Sequence, residues 1–264
     1  MYEVTSQSNS RFKEFIKLCR DRNERDRQEL CILDGTKLCS DVIKSGQKLQ
    51  QLWVSNSFIE KNSALVEQLI TGSEEVYLVN DSAAKRLSET VSPQGVVASV
   101  NRPRDIAVKD LSAYTRVLGL CNVQNPENVG GTIRTASALG FKAVVLSRDC
   151  ADPWSPRSVR AGAGCQLKIR IHVTDDFRNT LEEINNLDFK TYASALHRDS
   201  VSLEKADKSG KIFLAIGNEG NGLPDDVISS CTGIISVPMS EEVESLNAAA
   251  AAAVMMWELR DRLI

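Results

Sequence analysis

Two apolar rhythms alternate along the chain: short runs rich in Val, Ile and Leu, and apolar positions at three- and four-residue spacing on a charged background. Phe12, Phe15, Ile16 and Cys19 predict a helix within 11–27, while residues 1–10 carry no pattern and read as frayed. Strands are expected at 30–33, 49–54, 76–79 and 95–100, with helices around 38–46, 64–70 and 83–87. This describes a small α/β sandwich of about a hundred residues. The polar, proline-containing stretch 101–105 is the expected linker, dividing 1–105 from 106–264.

Beyond it the rhythm is strand and helix throughout. Strands are expected at 117–121, 143–146, 168–173, 190–195, 212–216 and 234–237, and the last helix at 245–263. Near-continuous apolar strands alternating with helices imply a buried, mostly parallel sheet.

Three stretches each follow a predicted strand. The first runs from Asn125-Pro126-Glu127-Asn128 to Arg134-Thr135-Ala136. The second is Gly217-Asn218-Glu219-Gly220-Asn221-Gly222-Leu223-Pro224. The third is Val237-Pro238-Met239, then Glu244-Ser245-Leu246-Asn247 and the alanines 248–253. Ligands of open parallel sheets bind outside the carboxyl ends of the strands. Gly217, Gly220 and Gly222 would let main-chain groups approach a ligand and adopt positive φ. Glu219 can orient a neighbour or accept hydrogen bonds. Asn128 is expected to open the helix that carries Arg134, whose guanidinium offers a fork for a phosphate or carboxylate. The plainer alternatives are a surface ion pair for Arg134 and a helix cap for Asn128. Gly217-x-x-Gly220-x-Gly222 is not G-x-G-x-x-G, and no Walker loop exists, which argues against dinucleotide and ATP chemistry and against an ordinary Rossmann methyltransferase.

Composition adds mostly exclusions. Apolar content of 42% and charged content of 25% are ordinary for a globular protein, and a formal charge of −3 argues against an all-over nucleic-acid coat. Residues 11–27 hold seven bases against four acids, more the mark of a solvated helix face than of an RNA footprint. Seven scattered cysteines without C-x-x-C fit reduced thiols, and two histidines give no patterned zinc set, so no metal is expected. The N-terminus lacks a signal-peptide core, and the run 248–257 is too short to cross a bilayer. A cytoplasmic protein without membrane contact is expected.

Asn128-x-Gly130-x-x-x-Arg134-Thr-Ala, Gly217-x-Glu219-Gly-x-Gly222-Leu, and Val237-Pro-Met239 with Ser245-Leu-Asn247 resemble, in order, the three motifs of SpoU-type (TrmH-like) RNA ribose 2′-O-methyltransferases of the SPOUT superfamily. The resemblance covers 115–264. Residues 11–100 resemble, more loosely, a ribosomal-protein-like RNA-binding domain. Leu33-Asp34-Gly35 stands where a glutamate-glycine pair is more usual, and Ala161-Gly162-Ala163-Gly164 replaces a serine-containing version, which leaves the RNA target open.

The resemblance implies an α/β protein whose C-terminal parallel-sheet domain carries a deep trefoil knot, a rare exception to unthreaded topology, behind a small α/β RNA-binding domain. It implies S-adenosyl-L-methionine held by Gly217, Val237 and Leu246, largely through backbone, with Ala195 and Met239 nearby. Arg134, Asn128, Glu219, Ser245 and Asn247 are the implied catalytic set. It further implies a homodimer with Arg134 reaching the partner's site, and RNA as substrate. Ribosomal 23S RNA is favoured over transfer RNA; a catalytically silent RNA-binding or ribosome-assembly factor is the contrasting class.

Overall fold

The computed structural model describes residues 1–240 and 246–261. It divides into two compact units: Met1–Pro103 with Asp152–Gly164, and Arg104–Ala151 with Cys165–Ile264.

The first unit contains, in chain order, β1 (Tyr2–Val4), α1 (Ser10–Arg20), α2 (Arg22–Gln28), β2 (Leu30–Asp34), α3 (Thr36–Lys44), β3 (Leu49–Ser55), α4 (Asn56–Lys61), α5 (Ser63–Thr71), β4 (Ser73–Val79), α6 (Asp81–Leu87) and β5 (Val96–Asn101). Its sheet has the order β1-β4-β3-β5-β2. The helix expected over 11–27 is two helices. Asp21 is extended, closes α1 and caps α2 by accepting from the Asn23 N–H. The start is not frayed: β1 pairs in parallel with β4, Tyr2 opposite Tyr77. The Tyr2 ring stacks on Tyr77 at 5.5 Å, and Tyr77 stacks on buried Trp53 at 4.3 Å. Three residues with no apolar period of their own gain order from that pairing. Phe12, Phe15, Ile32 and Trp53 centre the core.

The second unit adds β6 (Arg116–Leu120), α7 (Pro126–Ala138) and β7 (Ala143–Ser147). Next comes α8 (Pro156–Ala161), which belongs to the first unit and packs on β2. Then follow β8 (Arg170–Thr174), α9 (Phe177–Asn185), β9 (Phe189–Ser194), β10 (Val201–Ser202), β11 (Lys211–Ile216), α10 (Asp225–Ser230), β12 (Gly233–Ser236) and α11 (Ala248–Leu259). The seven strands pair in parallel in the order β10-β12-β9-β11-β6-β7-β8. β8 starts later than expected because Cys165–Leu167 forms a 3-10 turn. Phe177, Leu181, Ile184, Phe213 and Ala215 fill one face.

The last helix is shorter than expected. Asn247 is its N-cap, with Oδ1 accepting from the N–H groups of Ala249 (2.9 Å) and Ala250 (3.4 Å), so Leu246 and Asn247 precede the helix. At the other end Arg260 is extended and stops it. Ala248 and Ala252 are buried and α11 packs on α7, the close approach that small side chains permit.

Candidate active site

β6 and β11 lie side by side, Ile216 opposite Leu120, so the loops leaving both strands emerge together. The loop after β11 closes on itself. Asn218 and Gly222 exchange backbone hydrogen bonds of 2.9 and 3.0 Å. Asn218 Oδ1 accepts from the N–H groups of Gly220 (2.9 Å) and Asn221 (3.1 Å). Its Nδ2 donates to the Asn122 carbonyl at 2.8 Å, tying the loop to the one after β6. A Cβ on Gly217 would lie 2.3 Å from the Gly222 carbonyl carbon, and Gly222 has φ +66°. Both positions therefore need glycine. Asn218, outside the expected site residues, thus holds the loop together. Its signal was an asparagine two residues before glycine, the pattern of a side chain that closes a turn on its own backbone.

This loop walls a cleft of about 530 Å³. Ala195 after β9, Gly217 after β11, Val237 and Met239 after β12, and Leu246 before α11 all line it. Leu223, Ile228 and Met255 add apolar surface. Its ionisable side chains are the acids Glu219 and Asp225 and the imidazole of His197; among the described lining residues there is no Lys or Arg. A cleft with apolar walls, close-packed backbone and carboxylates at its edge suits a ligand with a flat apolar body and a positive centre. It does not suit a polyphosphate.

The expected catalytic residues do not all converge. Glu219 lines the cleft, and its Oε1 accepts a 2.5 Å hydrogen bond from Asn128 Nδ2. Asn128 does not open α7. Asn125 caps it by accepting from the Glu127 N–H at 2.8 Å, Pro126 takes the first helical position, and Asn128 sits within the first turn. Arg134, six residues after Asn128, is turned about 240° around the helix from it. It is exposed, forms no hydrogen bond or ion pair among the described residues, and does not line the cleft. Asn247 spends its side-chain oxygen on capping α11 and lies outside the cleft wall. Ser245 falls outside the described residues. On α11, which packs on α7, Val254 and Trp257 are 44% and 56% exposed.

Among the described residues, no group of three or more His, Cys, Asp or Glu side chains is placed to hold a metal ion. All seven cysteines are free thiols, and burial raises the pKa of six of them, Cys19, Cys31, Cys39, Cys121, Cys150 and Cys231, by desolvating the thiolate.

Residues 115–257 match the SpoU rRNA Methylase family, and residues 9–98 match an MRM3-like substrate binding domain. The chain is 28% identical to a 23S rRNA guanosine 2′-O-methyltransferase of Bacillus subtilis, over 98% of this chain and 100% of that one. It is 32% identical to a 23S rRNA guanosine 2′-O-methyltransferase of Acinetobacter baylyi over 178 residues, 64% of this chain and 72% of the relative. The fold superposes on an AdoMet-bound rRNA methyltransferase from Sinorhizobium meliloti with a TM-score of 0.83 at 26% identity, covering 99% of this chain and 98% of that one.

Proposed function

The chain belongs to the SpoU rRNA methylase family, and from that membership we propose that it methylates a ribose 2′-hydroxyl of 23S ribosomal RNA, using S-adenosylmethionine. One observation carries the cofactor assignment. The five residues expected to hold it line a single cleft that has carboxylates but no Lys or Arg among its described walls. Bound there, S-adenosylmethionine would supply a methyl carbon already activated by its sulfonium, leaving the protein to position the hydroxyl and manage its proton.

The backbone at Gly217, Val237 and Leu246 would hold the ligand, with Ala195 and Met239 closing around it. Glu219 and Asp225 favour its positive centre. At the rim, Asn128 occupies one oxygen of Glu219, and the other is left to accept a hydrogen bond from the ribose hydroxyl. A guanidinium offers donors and no acceptor, so the role of Arg134 is to anchor the target phosphate and stabilise the developing alkoxide, not to act as base. Ser245 and Asn247 border the transfer face, Asn247 through its cap.

Arg134 lies outside its own chain's cleft, and a homodimer resolves this. A second copy docked on the exposed face of α7 and α11, over Val254 and Trp257, would receive Arg134 at its own cleft. The trefoil knot, the RNA-binding role of residues 1–105, cytoplasmic location and metal independence complete the proposal.

Calorimetry in the presence of a chelator should show S-adenosylmethionine binding without RNA. Labelled methyl groups should pass to rRNA purified from cells lacking the gene, and mapping of blocked 2′-hydroxyls should place them on ribose. Tight NAD or ATP binding with no response to S-adenosylmethionine would overturn the proposal. Labelling confined to transfer RNA would move the substrate.

A further inference from the structure

The glycine loop has a second hollow on its other wall. A cleft of about 410 Å³ lies where β6, β7 and β11 end, and it shares Asn218, Asn221 and Gly222 with the first cleft. Asn122, Gln124, Asp149 and Pro224 complete its lining. The side chains of Asn122, Gln124, Asp149 and Asn221 form no hydrogen bond or ion pair among the described residues, so four polar groups border one hollow with their bonding capacity unspent.

One of them is held in place by the backbone. Asn122 has φ +58°, left-handed backbone that a non-glycine residue rarely adopts. Its N–H donates to Ser147 Oγ at 2.9 Å and its carbonyl accepts from Asn218 Nδ2 at 2.8 Å. Two bonds fix the strained residue and leave its amide to the cleft, an arrangement that recurs at binding sites.

Geometry limits what can enter. If the ribose hydroxyl sits beside Asn128 and Glu219, the base attached to the neighbouring sugar carbon must lie within one sugar's width. The glycine loop, which carries Glu219, is the partition between the two clefts. We infer that this second cleft receives the guanine base of the nucleotide to be methylated, with Asp149 accepting hydrogen bonds from its N1–H and N2–H groups. This rests on the ribose-methyltransferase reading and names the base within it.

The choice of guanine follows from the carboxylate. An ionised Asp149 offers two acceptors and no donor. Guanine presents two adjacent donors on its Watson–Crick edge. Adenine and cytosine place an acceptor nitrogen beside a single amino group, and uracil flanks one N–H with two carbonyls, so each would set lone pairs against the carboxylate. A negative charge in a cleft that must admit an anionic RNA is unfavourable unless specific donors meet it. The Asn122 and Gln124 amides can donate to guanine O6 and N7, and the Pro224 ring offers an apolar face to the flat base. The two curated relatives compared above are both named for guanosine.

The test uses the full-length protein, tritiated S-adenosylmethionine and rRNA from cells lacking the gene, with the product digested to nucleosides. Wild type should label 2′-O-methylguanosine alone. Asp149→Ala should lower kcat/KM by about 10- to 100-fold, the range for loss of a bidentate base contact, with unchanged S-adenosylmethionine affinity and thermal midpoint. Its residual product should include other 2′-O-methylnucleosides. Asp149→Asn, which keeps one acceptor, should recover part of the rate. Label on a different nucleoside from wild type, or undiminished guanosine methylation by Asp149→Ala, would overturn the base assignment while the methyltransferase stands. Absence of any transfer by wild type would instead remove the reading beneath it.

Discussion

Asn128 Nδ2 donates a 2.5 Å hydrogen bond to Glu219 Oε1 across 91 residues of sequence, joining the first turn of α7 to the glycine loop at the rim of the cleft. The bond links two stretches that each follow a strand of the same parallel pair, β6 and β11.

If the two residues act as one unit, their losses should not add. Asn128→Ala and Glu219→Ala should each lower kcat/KM for RNA, and the double variant should be little worse than either. The coupling should be about 1–3 kcal/mol, as for contacting partners in one network. Additive losses in a double-mutant cycle would mean independent roles.

Gly217→Ala places a Cβ 2.3 Å from the Gly222 carbonyl carbon, whereas a Cβ on Gly220 would meet nothing nearer than Asn218 Oδ1 at 3.6 Å. The first substitution should lower the melting temperature and weaken S-adenosylmethionine by more than about tenfold, the factor that 1.4 kcal/mol represents. Gly220→Ala should leave both nearly unchanged. Scanning calorimetry and titration of the two variants side by side check this, and equal behaviour would refute a backbone-packed loop.

Arg134 is exposed and unpaired among the described residues, so Arg134→Ala should leave stability and cofactor affinity intact while abolishing methyl transfer. Mixing it with Leu246→Trp, whose own cleft is blocked, tests whether it acts across a dimer. Heterodimers would contain one complete site and should recover up to about half of wild-type activity per heterodimer if sites are independent. No recovery in a mixture shown by mass spectrometry to hold heterodimers would assign Arg134 to its own chain.

In the first unit, Arg25 is buried and donates to Asp152 Oδ2 at 2.7 Å and to the Leu18 and Cys19 carbonyls at 2.6 and 3.1 Å. Arg25→Ala leaves a buried carboxylate without its cation and should cost about 3–5 kcal/mol, measured by urea denaturation. A loss below about 1 kcal/mol, the value of an exposed pair, would contradict burial of this contact. Removing residues 1–105 takes away Arg25 and should strand Asp152 in the same way.

The strands of the second unit were legible because a sheet covered on both faces needs apolar residues at every position, and such runs survive in a single sequence. Val117 to Leu120, Ala143 to Leu146 and Ile212 to Ile216 are of this kind. The cleft residues were legible through motif order: glycines and asparagines at strand ends, then alanines where a helix must pack closely. Asn125 before Pro126 also carries a readable helix start, three residues ahead of Asn128.

Other features had no local signature. β1 exists because Tyr2–Val4 finds the edge of β4 and a column of stacked rings. Residues 152–164 follow β7 in sequence yet belong to the first unit, where α8 packs on β2. The sequence alone determined which residues could serve chemistry, since residue type and spacing act over a few turns of chain. Only the tertiary structure decided which of them meet. Parallel crossovers set Asn122, Asp149 and Asn218 side by side at three strand ends. Strand order, which contacts distant in sequence determine, fixes those distances.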